Sequence, residues 1–320
     1  MTRTFLPLLA LTLLACSGGE SPSAAPPPSV AAPAPPSSVV LEPAAVPTWL
    51  YEIPTEGQPS YVFAALDPGL PLHESFPPDY EALYTYARAV IVPMAWEPEE
   101  ERAFAAEHGL DPSFHLDRAI GSERFERFLA RTGAPAELAV HVRPEAALEL
   151  WLGTTAAELS HTRIEDTRLS PTHDLVARRQ AAGLPTLSLA TPARANELFA
   201  ALERGAADTL SAILDHPDET RANLADVRTA YLAGDEATLL AAHAVPVIGR
   251  EQDCAQRRTE DLRLLTEGMP VIEREIRAGN ALVLLPYGMV LGDEGLLARL
   301  GTSGLVATRV TTTSPASATP

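Results

Sequence analysis

Short apolar runs that alternate with long helical patterns constrain the fold of this chain more than any other feature of its sequence. Five runs have the length and composition of buried strands, at 49–53, 61–66, 89–92, 185–190 and 281–285, and 305–310 predicts an edge strand. A turn region that contains Pro and Gly separates the first two runs, so they predict a hairpin. Strands joined by helices predict an α/β domain with one central sheet, flanking helices and a large helical insertion.

The segments between these runs carry apolar residues at helical spacing. They predict helices at 79–88, within 97–131 and 135–153, and at 171–182, 192–204, 206–214, 218–232, 236–244, 253–278 and 292–299. Pro98, Ser122 and Pro144 mark helix starts. Gly268-Met269-Pro270 predicts a break in the helix at 253–278, because a proline inside a helix removes a hydrogen bond.

The first residues of the chain are typical of a secretory signal. Arg3 is followed by an apolar run at 5–14, which is too short to span a bilayer, and a small residue precedes Cys16. Leu13-Leu14-Ala15-Cys16 resembles the bacterial lipoprotein box, in which the signal peptide, here 1–15, is removed and the cysteine receives fatty acids such as palmitate. An ordinary signal peptide followed by a chance cysteine is the alternative interpretation.

A lipid anchor and a tether are therefore expected before the folded part. Three acyl chains on Cys16 exceed what stable anchoring requires, so the lipid bilayer is an expected partner. Ser17 stands where an aspartate would favour the inner membrane, which implies the outer membrane, facing the periplasm or the cell surface. Nine prolines between 21 and 47 make 16–47 a Pro/Ser/Ala-rich tether. A domain at 48–310 and a disordered tail at 311–320 complete the predicted organisation.

Charge and residue usage exclude several classes of function. The net charge is −18, and all 24 basic side chains are arginines. Such an acidic chain without a basic cluster is not expected to bind nucleic acid or an anionic membrane by electrostatics. Once Cys16 is acylated only Cys254 remains, so an intramolecular disulfide is excluded. The sequence contains no Gly-rich phosphate loop and no Gly-x-Ser-x-Gly elbow, and no cofactor is expected.

Several segments, in order, resemble the TraB/GumN family of bacterial proteins. The opening hairpin, the helix and strand at 79–92, the segment Ala230-Tyr231-Leu232-Ala233-Gly234-Asp235 and the segment Gly292-Asp293-Glu294-Gly295-Leu296-Leu297 carry the resemblance. The family includes membrane-tethered, metal-dependent proteases, and its proposed metal and catalytic groups are two Gly-x-x-His histidines and a glutamate at a strand end. The resemblance therefore implies a metal-dependent peptidase fold.

At the positions that match these histidines and this glutamate, the chain has other residue types. The two histidine positions fall on Asp67 and Met289, and the strand-end glutamate falls on Pro93. The glutamate of a Leu-Glu-Thr segment falls on Ala190, and an Arg-Asn pair falls on 265–266. A hydrolytic zinc site usually has three imidazole or carboxylate ligands, and only Asp67 among these could be one. Asp67 before Pro-Gly is also what an ordinary turn requires.

The remaining chemical groups give weak signals. No histidines form a pair at i, i+4, so each is expected to be a surface or hydrogen-bonded side chain: His108, His115, His141, His161 and His173. His173-Asp174 as a base with its orienting carboxylate is weak, since adjacent side chains on a helix diverge. The acidic run at 97–101 is a solvated helix start or a cation-binding patch. Cys254, on a charged helix, is a poor nucleophile candidate.

Three hypotheses follow from the sequence. The favoured one is a catalytically degenerate TraB/GumN-like lipoprotein that binds a peptide or an envelope glycan without hydrolysing it. The alternatives are a metal-dependent hydrolase whose ligands have moved, with Asp67 retained, and a structural envelope protein without a ligand. No catalytic residue and no metal ligand is assigned.

Overall fold

One mixed sheet organises the residues described by the computed structural model, which are 49–66, 81–95, 98–161, 171–244 and 251–310. Its strands are β1 (Leu50–Ile53), β2 (Ser60–Ala65), β3 (Ala89–Val92), β4 (Thr186–Ser188), β5 (Ala281–Pro286) and β6 (Thr308–Arg309). They are ordered β4-β3-β5-β2-β1-β6. With helices flanking this sheet, the predicted α/β class is confirmed.

The sheet combines antiparallel and parallel strand pairing. β1 pairs antiparallel with β2 as the predicted hairpin, with Leu50 opposite Phe63, and β6 adds to the free side of β1. β2, β5, β3 and β4 pair in parallel. The carboxyl ends of these four strands therefore meet at one edge, called the carboxyl edge below, where open α/β sheets bind their ligands.

The helices surround this sheet and extend beyond it. In chain order they are α1 (Glu81–Tyr86), α2 (Pro98–His108), α3 (Leu116–Ile120), α4 (Ser122–Thr132), α5 (Ala136–Ala139), α6 (Pro144–Leu159), α7 (Pro171–Ala181), α8 (Pro192–Asp215), α9 (Pro217–Ala233), α10 (Glu236–Ala244), α11 (Glu251–Arg277), α12 (Tyr287–Val290) and α13 (Leu296–Thr302). The predicted starts at Pro98, Ser122 and Pro144 are confirmed. Within the described residues, no helix is long and apolar enough to cross a bilayer.

Three helix predictions were wrong in detail. The helices predicted at 192–204 and 206–214 are one helix, α8, because a single internal glycine costs a helix only about 1 kcal/mol. The predicted break at 268–270 does not occur either, and α11 runs through Pro270. Buried leucines before that proline and buried isoleucines after it hold α11 in the core, which offsets the lost hydrogen bond. The closing helix predicted at 292–299 begins only at Leu296.

The apolar core has two parts. The larger cluster lies around the sheet and includes most residues of β1, β2, β3 and β5. The second lies among the helices of the middle of the chain, where Phe128, Trp151 and Leu210 belong to a cluster of buried side chains from α3, α4, α5, α6 and the end of α8. Two clusters are what a sheet domain with a large helical insertion requires, since each layer must bury its own apolar face.

Candidate functional site

The residues that follow the four parallel strands form the candidate site at the carboxyl edge. They are Leu66 after β2, Pro93 after β3, Leu189 after β4 and Tyr287 after β5. Leu66 and Tyr287 are buried, whereas Pro93 and Leu189 are partly exposed. The described part of this edge is thus lined mainly by hydrocarbon and by one phenol.

The polar groups at the ends of β3 and β4 form hydrogen bonds with one another. The Ala190 N–H donates to the Pro93 carbonyl oxygen at 3.0 Å, which extends the parallel pairing beyond the strands. The Ser188 hydroxyl donates to the Ala190 carbonyl oxygen at 2.7 Å and accepts from the Ala95 N–H at 3.1 Å. Ala190 itself is 1 % exposed. These groups are satisfied internally and stabilise the strand ends rather than face a ligand.

Thr191 connects this corner to the next helix. Its side-chain oxygen accepts the Arg194 N–H at 3.2 Å, and Pro192 occupies the first helical position of α8. Both choices are typical of a helix start, because a threonine N-cap satisfies a free backbone donor and proline has none to satisfy. The threonine of the Leu189-Ala190-Thr191 segment therefore has a structural role here.

The end of β5 carries Tyr287 and Met289. Burial raises the pKa of the Tyr287 phenol well above its usual range, so this side chain stays protonated at physiological pH. Met289, on the short helix α12, is 1 % exposed and belongs to the core around the sheet. A thioether is a soft ligand that suits Cu(I), not the ions that activate water.

Tyr231 on α9 holds the end of β2 in place. Its hydroxyl donates to the Ala64 carbonyl oxygen at 2.8 Å, and its own carbonyl oxygen accepts the indole N–H of Trp49 at 2.7 Å. The two rings stack with centroids 5.3 Å apart. Gly234 then ends α9 in the left-handed conformation, at φ 71°, which glycine adopts without strain.

The loop from α12 to α13 also depends on its glycines. Gly292 has φ 81°, and a Cβ atom on Gly295 would overlap the carbonyl oxygens of Val290 and Leu291. Any larger side chain at Gly295 would push the loop apart. The Gly292-Asp293-Glu294-Gly295 segment is therefore fixed by backbone geometry.

The segments that carry the family resemblance are thus the ones that shape the carboxyl edge. The model of the TraB/PrgY/gumN family matches residues 49–309. The chain belongs to the TraB/PrgY/gumN family. No curated protein and no solved structure gave a significant match.

The described part of this TraB/PrgY/gumN chain contains no group of three or more His, Cys, Asp or Glu side chains arranged to hold a metal ion. Asp67 lies outside the described residues, as do Cys16 and the predicted tether. His173 is in α7 and Cys254 in α11, but their side chains are not described.

Histidines outside the carboxyl edge also have defined surroundings. His108 lies 3.1 Å from the Asn196 side-chain oxygen and packs against both Phe104 and Phe199, as expected of a hydrogen-bonded histidine. His115 and His141 lie together, with ring centroids 5.6 Å apart. No pattern in the sequence indicates this second arrangement, because the two residues are far apart in the chain.

Asp261 is the titratable group that the sequence analysis missed. It is partly buried on α11, and burial raises the pKa of its carboxyl group to about 6 although Arg257 and Arg258 oppose the shift. Within the described residues no hydrogen bond reaches this carboxyl group. Leu264 and Leu265, one turn further along α11, are both buried. An acidic residue one helical turn before two core leucines was the sequence signal that could have indicated a buried carboxyl group.

Proposed function

We propose that this chain is an envelope lipoprotein whose TraB/PrgY/gumN domain binds a peptide or an envelope glycan and does not hydrolyse it. The proposal rests on one observation. Three of the four positions that match motif residues of the family, Pro93, Ala190 and Met289, carry side chains that cannot ligate a water-activating ion. Ala190 and Met289 are also packed into the interior.

The shape of the carboxyl edge supports binding without chemistry. Tyr231, Thr191 and Gly295 all act on the backbone: they fix the end of β2, the start of α8 and the loop before α13. The edge is thus held in a defined shape by groups that need no metal. A largely apolar edge that is held in this way suits a ligand that is recognised by shape and by a few hydrogen bonds.

Attachment to the membrane completes the proposal. Acylation of Cys16 would anchor the chain, and the Pro-rich stretch at 16–47 would hold the domain off the lipid surface. The favoured location is the outer membrane, facing the periplasm or the cell surface.

Metal analysis tests the proposal against the hydrolase with moved ligands. Full-length protein in detergent is compared with its Asp67→Ala variant for bound zinc, manganese and cobalt, and for melting temperature with and without a chelator. The substitution is expected to change neither the metal content nor the chelator response. One equivalent of metal that is lost with Asp67→Ala would overturn the proposal in favour of the hydrolase.

A binding assay tests the ligand. We expect peptidoglycan fragments or envelope peptides to raise the melting temperature while their masses stay unchanged after prolonged incubation. Cleaved fragments in the presence of the wild-type protein would contradict a non-hydrolytic role. No shift with either ligand class would favour a structural protein.

A further inference from the structure

His115 and His141 face each other from two different connections of the helical part. His115 directly precedes α3, and His141 lies between α5 and α6. Their ring planes are inclined at 56°, with the centroids 5.6 Å apart. Both side chains are partly exposed, so a dissolved ion can reach them.

The backbone holds the two histidines at this separation. Hydrogen bonds join the segment before α3 to the segment before α6: Asp111 N–H to the His141 oxygen at 2.9 Å, Leu116 N–H to the Val140 oxygen at 2.8 Å, and Arg143 N–H to the Gly109 oxygen at 3.1 Å. Leu116 and Val142, the neighbours of the two histidines, are buried in the second apolar cluster. The distance between the rings is therefore set by the fold and not by the exposed side chains themselves.

One ring has its tautomer fixed by its neighbour. The Nδ1 atom of His141 lies 3.1 Å from the Phe114 carbonyl oxygen. A carbonyl oxygen only accepts, so in the neutral ring Nδ1 carries the proton and Nε2 presents its lone pair. This is the arrangement of a metal-binding histidine, which usually donates its other ring N–H to a carbonyl or carboxylate.

The second ring has a carboxylate near its Nδ1 atom. The Nδ1 atom of His115 lies 3.8 Å from Oδ1 of Asp117. That oxygen is buried and has no hydrogen-bond partner within the described residues. A small rotation of the His115 ring would supply the missing donor and leave its Nε2 free.

We propose that His115 and His141 form a two-histidine site for a divalent transition-metal ion, bound through their Nε2 atoms. Two imidazoles on one ion hold their centroids roughly 4.5–6 Å apart, since each Nε2 lies about 2 Å from the metal. The observed 5.6 Å fits this requirement. The structure provides no third ligand among its described residues, so water completes the coordination. Imidazole ligands with open positions favour Cu(II) over Ni(II) and Zn(II).

Titration of full-length apo-protein with Cu(II), Ni(II) and Zn(II) tests the site. We expect one equivalent of Cu(II), with hyperfine splitting from two imidazole nitrogens in its electron paramagnetic resonance spectrum. His115→Gln and His141→Gln should each weaken binding at least tenfold and reduce the splitting to one nitrogen. His216→Gln is the matched control, and this variant should bind Cu(II) as tightly as the wild-type protein. Like His115, His216 has its Nδ1 atom near a carboxylate, that of Glu219 at 3.3 Å.

Asp117→Asn tests the positioning of His115. It should weaken Cu(II) binding about tenfold, as is typical when the hydrogen-bond partner of a metal-binding histidine is lost, and leave the melting temperature nearly unchanged. Protection of His115 and His141 from diethylpyrocarbonate by Cu(II), in the wild-type protein, provides a readout that requires no variant to fold.

Unchanged Cu(II) affinity in both histidine variants, or labelling of the two histidines that Cu(II) does not reduce, would overturn the site. This result is separable from the proposed function. The His115 and His141 variants leave Asp67 intact, and Asp67→Ala leaves the two histidines intact.

Discussion

Leu189 packs directly against the backbone of Gly268. A Cβ atom on that glycine would lie 2.8 Å from the Leu189 Cδ2 atom, which is shorter than an ordinary contact between two carbon atoms. The middle of α11 therefore lies directly against the residue that follows β4. This contact holds α11 over the carboxyl edge. Glycine at this position serves close packing, and a substitution there tests the architecture of the candidate site.

Gly268→Ala should therefore stabilise the protein less than helix propensity alone predicts. The new methyl group requires the partly exposed Leu189 side chain to move, which offsets part of the roughly 1 kcal/mol gained in helix propensity. Gly153 in α6 is the matched control: nothing lies within 4 Å of its Cβ position, so Gly153→Ala should stabilise by about 0.5–1 kcal/mol. Urea unfolding measures both. Equal stabilisation by the two substitutions would contradict the contact.

Substitutions of Met289 separate a core residue from a functional one. As a buried core residue, it should tolerate Met289→Leu at a cost below about 1.5 kcal/mol, with ligand binding unchanged. Met289→His should cost about 2 kcal/mol or more, because the imidazole would be buried without a partner. Chemical unfolding and ligand-induced melting shifts measure the two effects. Loss of ligand binding in Met289→Leu at unchanged stability would give the thioether a direct role.

The main features of the fold were readable from local patterns, whereas the chemistry depended on distant contacts. Apolar runs predicted the hairpin and the strands, and Pro98 and Pro144 marked helix starts, because these signals act within a few residues. Gly268 was misread, since a glycine that allows close packing has the same sequence signature as one that ends a helix. The pairing of His115 with His141 was not predictable, because it depends on the backbone bonds that join two separate connections.

Asp261 predicts an unusual pH dependence. Its carboxyl group has a pKa of about 6 in the folded protein against 3.8 in the unfolded chain, so the folded state binds the proton more tightly. The stabilisation from this group is complete below pH 3.8 and is lost as the pH rises through 6. Asp261→Asn should therefore stabilise the protein by on the order of 2 kcal/mol at pH 7.5, and the gain should vanish towards pH 4.

The exposed Asp226 on α9 is the control for this experiment, and Asp226→Asn should change the free energy of unfolding by less than about 0.5 kcal/mol at either pH. Denaturant unfolding at pH 7.5, 6 and 4 measures both variants. Destabilisation by Asp261→Asn at pH 7.5 would show instead that a cation or hydrogen-bond donor stabilises the ionised carboxylate.

Arg257 should stabilise the junction between α11 and α6 through a buried carboxylate. Its guanidinium donates to Glu145 Oε1 at 2.7 Å, and the Glu145 side chain is only 3 % exposed. Arg257→Met leaves that charge unpaired and should cost about 2 kcal/mol or more. Glu145→Gln in the same chain should recover part of the loss, because the buried group is then neutral. Arg263→Met, which breaks the exposed pair with Glu267, should cost less than about 0.5 kcal/mol.

Cys16→Ala tests the predicted anchor independently of the domain. Three acyl chains would hold the chain at the membrane, so the substitution should abolish labelling with a radioactive fatty acid and release the protein into the soluble fraction. The described part of the domain begins at Trp49, well beyond the cysteine, so the melting temperature of the domain should not change. Cys254→Ala is the matched control and should retain both the label and the membrane fraction. Labelling that persists in Cys16→Ala would show that the fatty acid is attached elsewhere and that the lipoprotein interpretation is wrong.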